Sequence, residues 1–315
     1  MTEKNLKWKQ RLLSSGYPLE YVTEKTLEKS KYKIFGEYPY LRESENGVVK
    51  EFSVDIRTWK SIIVNKDYHS LQLLIECKYL HDGTIWLFSP TTQENNFGTT
   101  LLFDNSAVKP FVFDQNQLRN ASISIQKCRN GVQINHNDDG RDSIKKGLYQ
   151  LKFATPLLFK EIIELAVSGL FGSMSNLTFF GSILVTTAEI RVLNQSLDLS
   201  SFKEAKDISE LSEKKKFILV EESAGPQLHN HVTMQFDTLM SNHGDSVKLK
   251  INEYQKAYQS DQLPLAPSIH TLSRDFINCS EKVLVVNFDY LMELIEILEK
   301  NLSEDLKNIN SDALS

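Results

Sequence analysis

The run LQLLIECKYL, Leu71 to Leu80, constrains this chain more than any other segment. It is rich in apolar residues and shorter than an ordinary helix, the mark of a central strand covered on both faces. Side chains alternate across a strand. Ile75 and Cys77 therefore share one face, and Leu74, Glu76 and Lys78 share the other. Charges on a covered strand are costly unless they are paired or bound to a metal. That cost makes Glu76 and Lys78 informative.

The preceding residues supply a companion. Ser14 to Glu20 reads as a loop opening a helix, with Pro18 suited to the first turn. Leu19, Val22 and Leu27 give that helix an apolar face as far as Ser30. Lys31 to Leu41 is expected as a strand that breaks at Gly36. Asn46-Gly47 is a hairpin signal, so Val48 to Trp59 is the partner strand. There Phe52, Val54 and Ile56 are expected on one face, and Glu51, Ser53 and Asp55 on the other. Pairing of this strand with LQLLIECKYL brings Asp55 within reach of Glu76. Two carboxylates then offer oxygen ligands to a hard cation such as Mg²⁺, which keeps several waters. The backbone carbonyl of Cys77 adds a further oxygen. Lys78 lies where it can stabilise charge on a phosphate or position a water. The chemistry that suits this set is phosphodiester hydrolysis. The competing reading is a structural ion pair of Lys78 with Glu76 or Asp55 on a solvated sheet face.

Asp55 followed by Glu76-Cys77-Lys78, behind a helix bearing Glu20, resembles the PD-(D/E)XK nuclease superfamily. Val54 stands where the family often has proline. The resemblance implies an α/β (mixed) fold of restriction-endonuclease-like type: a central mixed sheet flanked by helices, with a long insertion and a C-terminal extension. It implies Mg²⁺ as cofactor, with Mn²⁺ able to substitute, and Glu20 as an added metal-binding acid. It also implies nucleic acid as substrate, DNA before RNA, in restriction or anti-phage defence. A homodimer or a protein partner is compatible with it. The alternative from another class is a non-catalytic nucleic-acid-binding or assembly module on the same fold.

The expected nuclease domain spans residues 1–200, with an irregular, strand-rich insertion at about 85–140. Asp142 or Ser143 caps a following helix that Pro156 interrupts or kinks before it continues to Leu170. On this helix Lys145, Tyr149 and Lys152 share a face and Gln150 neighbours them, so all four are candidates for nucleic-acid contact. Phe179 to Leu193 reads as one strand. Residues 201–315 have no assigned role. Within them 200–216 suits a linker or surface helix, and 223–280 mixes polar loops with weak patterns. Phe217 to Val220 and Val283 to Val286 read as strands, Leu291 to Leu302 as an amphipathic helix, and the tail after Ser303 as frayed.

Composition narrows the classes. With 41% hydrophobic and 24% charged residues over 315, the chain is globular in balance. A net charge of -5 argues against coating nucleic acid through bulk charge. Three scattered cysteines suggest no disulfide framework and a reducing cytoplasm. No apolar run is long enough to span a membrane, and Met1 to Gln10 lacks the apolar stretch of a signal peptide. His229 and His231, one residue apart with no third ligand nearby, make a poor zinc site. Neither a GxxxxGK[ST] loop nor a GxSxG elbow is present.

Overall fold

The computed structural model describes residues 4–43, 47–64, 66–91, 107–108, 125–135, 143–168, 178–258 and 268–312. Helices α1 (Lys4–Ser14) and α2 (Tyr17–Lys29) precede β1 (Lys33–Glu43), β2 (Val49–Val64), β3 (Asp67–Lys78), β4 (Ile85–Pro90), the short β5 (Ala107–Val108) and β6 (Lys127–Ile134). Then come α3 (Ser143–Val167), β7 (Thr178–Thr186), β8 (Glu189–Leu193), α4 (Leu199–Glu204), α5 (Ile208–Leu211), β9 (Ser212–Lys215) and β10 (Phe217–Glu221). Helices α6 (Pro226–Tyr258) and α7 (Ile269–Glu281), strand β11 (Lys282–Asn287) and helix α8 (Leu291–Asp312) complete the fold.

All the described strands join one mixed sheet, a mixed α/β arrangement with helices on both faces. Its order is β1-β2-β3-β7-β11-β10-β6-β4-β8-β9, with β5 alongside β7. The hairpin β1-β2-β3 is antiparallel, and β3 then pairs in parallel with β7. Both faces of the middle strands are covered: Leu74, Phe180 and Leu184 pack beneath α3, α6 and α7, while Leu73, Ile75, Phe179 and Ile183 pack beneath α2 and α8. The near-continuous apolar runs in β3, β7 and β11 follow from that double cover. No helix among the described residues is long and apolar enough to cross a membrane.

Several segments depart from their sequence reading. Residues 179–193 form two strands, because the chain bends at Thr187 and Ala188. There the hydroxyls of Thr186 and Thr187 donate to the carbonyls of Lys78 and Leu80, at 3.1 and 2.8 Å. Side-chain bonds of this kind displace the ladder, and β8 goes on to pair with β4. The insertion at 85–140 contributes β4 and β6 to the main sheet. Asn46, Asp142, Leu170 and most of residues 92–124 fall outside the described residues. Residues 223–280 hold the 33-residue α6 and the 13-residue α7. Their apolar stripe is diluted by buried polar residues, His231, Gln235 and Asp275, which hid the helical period. Pro156 lies inside a helix that runs unbroken from Ser143 to Val167. Its neighbours Thr155 and Leu158 are buried, so packing holds the turn that the missing N–H weakens. Helix α8 continues to Asp312 rather than fraying at Ser303.

One glycine shows how closely the second half of the sheet is built. A Cβ at Gly131 would lie 2.6 Å from Cε1 of Phe88, a ring with no exposed surface. Gly131→Val is expected to destabilise the fold by about 1–3 kcal/mol, the usual cost of overpacking. An unchanged urea midpoint would show that β6 can move away from Phe88 freely.

Candidate active site

The site begins with a bulge in β2. Against β1 the register steps from Gly36↔Arg57 to Tyr38↔Val54, so Asp55 and Ile56 together stand opposite Glu37. The extra residue turns the strand. Val54 joins the core beneath α3, whereas Ile56 joins the core on the opposite face. The expectation that these two share a face is thereby corrected. On β1 a compensating irregularity falls at Gly36, whose φ of 81° suits a residue without Cβ.

The bulge aims Asp55 at the end of β3. Regular pairing of β2 with β3 stops at Ile56↔Ile75. Beyond it the Asp55 carboxylate accepts the Cys77 N–H at 2.7 Å, in place of a ladder bond. Along a strand, successive residues turn their backbone polar groups to opposite neighbours. The Lys78 carbonyl faces β7, where Thr186 donates to it. The Cys77 carbonyl therefore faces β2 and Asp55. The Cys77 thiol points the other way, 3.8 Å from the Thr23 hydroxyl of α2.

Glu76 has no exposed surface. Lys78 donates to its Oε1. Its Oε2 is buried with no hydrogen-bond partner among the described residues, and so is the Tyr40 hydroxyl, which feels the Glu76 charge. Burial, then the charge of Asp55, pushes the Glu76 carboxyl up to about 8. Burial likewise raises Asp55, against the Cys77 hydrogen bond and Lys78. Two orphaned polar atoms and two raised carboxyls in one place mark a spot that protein groups alone do not satisfy.

Helix α3 closes the site from above. A Cβ at Gly147 would lie 2.7 Å from Leu184 and 3.3 Å from Cε of Lys78, so the glycine lets the helix settle directly on the lysine. One turn on, Gln150 accepts from Lys78 at 3.1 Å and donates to the Ser53 carbonyl at 3.0 Å. Gln150 thus ties Lys78 to β2. That is a different task from the nucleic-acid contact its position suggested.

Helix α2 brings the third acid. Gly16 caps it with φ 82°, and a Cβ there would lie 3.2 Å from Oε1 of Glu20; the carboxylate folds back over the helix start. Burial, then Asp55 and Glu37, raises Glu20 to about 7. Glu37 and Lys146, which also act on Asp55, and Tyr40 were missed in the sequence. Counting back from a two-residue Asn46-Gly47 turn places Tyr38 opposite Asp55, one residue off the observed register, so the place of Glu37 was not legible. For Lys146 and Tyr40 no local pattern points to the site.

Lys145, Tyr149 and Lys152 are not gathered with the carboxylates. At 100° per residue they lie about 100° to 160° around α3 from Gln150, and they line a cavity on the other flank of the helix. Lys152 is buried there on Glu222 at 2.8 Å.

Among the described residues no three His, Cys, Asp or Glu side chains form a ready cluster for a metal. Two carboxylates and a backbone carbonyl do fit Mg²⁺, which takes its remaining ligands as water. The unpartnered Oε2 of Glu76 is an oxygen open to such a role. No protein family, curated protein or solved structure matches the chain.

Proposed function

We propose that the chain is a metal-dependent nuclease that hydrolyses phosphodiester bonds in nucleic acid. The observation that carries this reading is Glu76: a wholly buried carboxylate, one oxygen unpartnered, beside a second, half-buried carboxylate and a lysine. Such a group needs a proton or a cation. Asp55, Glu76 and the Cys77 carbonyl would hold Mg²⁺ or Mn²⁺, with Glu20 at the edge. When bound, the cation supplies charge neutralisation at the phosphate and a more acidic water. Lys78, held by Gln150, stabilises negative charge on the phosphate oxygens. Glu20, titrating near 7, can exchange a proton near neutral pH. DNA as the substrate, and restriction or anti-phage defence as the setting, rest on the resemblance alone. Three free, buried cysteines suit a reducing compartment such as the cytoplasm.

Titration with Mn²⁺ tests the reading: the protein should bind it saturably, and Glu76→Gln should weaken binding by about tenfold or more. One observation favours a second reading, a non-catalytic binding or assembly module. Lys78 already pairs with Glu76, which a structural ion pair would also do. A protein that ignores divalent cations would support that module and end the nuclease reading.

Gln150 gives a finer test. As a positioning residue it should matter through Lys78. Gln150→Ala is expected to lower kcat by about tenfold, since misplacing a catalytic group has effects of that order or larger, while Mn²⁺ affinity stays unchanged. Equal loss of metal binding would instead mean that Gln150 merely supports β2.

A further inference from the structure

The β1-β2 hairpin sets two cations against each other. In its register Tyr40 stands opposite Phe52, and Arg42 stands opposite Lys50. Strand alternation puts all four on one face. Tyr40 and Phe52 show which face it is, because they pack into the core beneath α3. Glu76 and Lys78 lie on the same face. Like charges directly opposite across a ladder destabilise it. Neither cation forms an ion pair among the described residues. The acids next to them in sequence, Glu43 and Glu51, alternate to the opposite face. Glu45, in the turn, lies outside the described residues.

The Arg42 side chain is fixed in place without using its donors. Its guanidinium folds back over Phe52, 3.9 Å from the ring centre, and lies 4.6 Å from the ring centre of Phe153 on α3. Stacking takes up the faces of a guanidinium and leaves the N–H groups on its edge. Its Nε is buried with no acceptor among the described residues, and the Tyr40 hydroxyl is buried with no partner either. Besides burial, the charges of Arg42 and then Glu76 act on that hydroxyl, so Tyr40 is within reach of both. Buried donors without acceptors are costly. A planar edge of free donors beside a lysine matches a phosphate. Phe52, under the guanidinium, is three residues from Asp55 along β2, or about 10 Å. At 3.4 Å per nucleotide that is about three nucleotides of strand.

We propose that Arg42, with Lys50 beside it, holds a backbone phosphate of the substrate strand about three nucleotides from the bond that is cut. The proposal rests on the nuclease reading for what happens at the other end of the strand. It names the substrate as a polynucleotide, since a single nucleotide cannot span both places.

A fluorescent DNA oligonucleotide of about twelve nucleotides, several times the expected span, tests this by anisotropy. Titrated with the full chain in EDTA, it reads binding without cleavage, and binding should be saturable. Arg42→Gln should weaken it by about tenfold or more, the value of a charge-assisted bond. The slope of log affinity against log salt should fall by about one. Arg42→Lys should restore the salt slope and only part of the affinity, since an ammonium lacks the fork. Lys50→Glu, at an exposed position, should also weaken the strand by about tenfold or more. Its melting temperature should hold or rise, because an opposite pair replaces a like one. Inorganic phosphate at about one millimolar should leave the strand bound, since it lacks the other contacts of a polymer. Displacement would assign the site to free phosphate and overturn the proposal. So would the absence of saturable strand binding, or parent-level binding in either folded Arg42→Gln or Lys50→Glu. A Glu45→Gln variant that loses as much melting temperature as Arg42→Gln would overturn it too, because the turn would then supply the missing acid. A protein that binds the strand through Arg42 but ignores Mn²⁺ would end the nuclease reading and leave the phosphate contact standing. One that binds Mn²⁺ through Glu76 but holds DNA without Arg42 would overturn this proposal alone.

Discussion

Asp55→Ala is expected to abolish cleavage of plasmid and linear DNA in the presence of Mg²⁺ or Mn²⁺. The substitution removes one of the two carboxylates available to the cation, and it also removes the acceptor of the Cys77 N–H. With one carboxylate left, neither water nor phosphate is held in place. Lys78→Ala should behave differently. It leaves Asp55 and Glu76, so metal binding should persist. The chemical step should slow by on the order of a hundredfold or more, the range seen when one charge-stabilising group is lost. Nucleic-acid binding should survive in both variants, since phosphate contacts elsewhere position the strand. A structural ion pair predicts another pattern: lower melting temperatures in both variants, with any cleavage retained by the molecules that remain folded. Full cleavage by a folded Lys78→Ala protein would remove Lys78 from the mechanism. Full cleavage by folded Asp55→Ala would end the nuclease reading.

What was legible in the sequence was what local pattern controls. Glu76 and Lys78 stood out because charge inside an apolar strand is costly, and in the structure they pair in a site closed by α3. The hairpin from β1 to β2 followed from Asn46-Gly47, and the strands around Leu219 and Val285 followed from short apolar runs. The bulge at Asp55 and Ile56 was not legible. It depends on how β2 registers against Glu37 and Gly36 on another strand, and simple alternation put Val54 and Ile56 on the wrong common face. The role of Gln150 also needed tertiary information. Its neighbours Lys145, Tyr149 and Lys152 follow the other flank of α3, and only the close approach at Gly147 reveals which side meets Lys78. Helix α6 was hidden because its inward stripe includes His231 and Gln235, which pass for surface residues until α3 is packed against them.

The acidity of the site leads to an expectation about pH. Between about pH 5 and about pH 9 the metal-free protein should lose stability while its affinity for Mg²⁺ rises. Glu76 releases its proton near 8 in the fold, because of burial and then Asp55, and Glu20 near 7, because of burial, Asp55 and Glu37, both from an ordinary 4.5. In the unfolded chain both groups ionise near that ordinary value. Across the window the folded state therefore holds more protons, and stability falls as pH rises. The contribution is complete below the unfolded value and is lost as pH passes through the folded ones. A divalent cation competes for the same oxygens, so it binds best once the protons have gone. The stabilisation that saturating Mg²⁺ confers should then grow over the same window. Melting temperatures in EDTA and in millimolar Mg²⁺ read these opposed slopes side by side. Glu76→Gln, equal in shape and neutral at every pH, should remove most of the slope in EDTA and most of the Mg²⁺ effect. A melting temperature in EDTA that stays level across the window would mean that these carboxyls do not ionise late. A Mg²⁺ effect as large at the acid end as at the alkaline end would place the cation on other ligands.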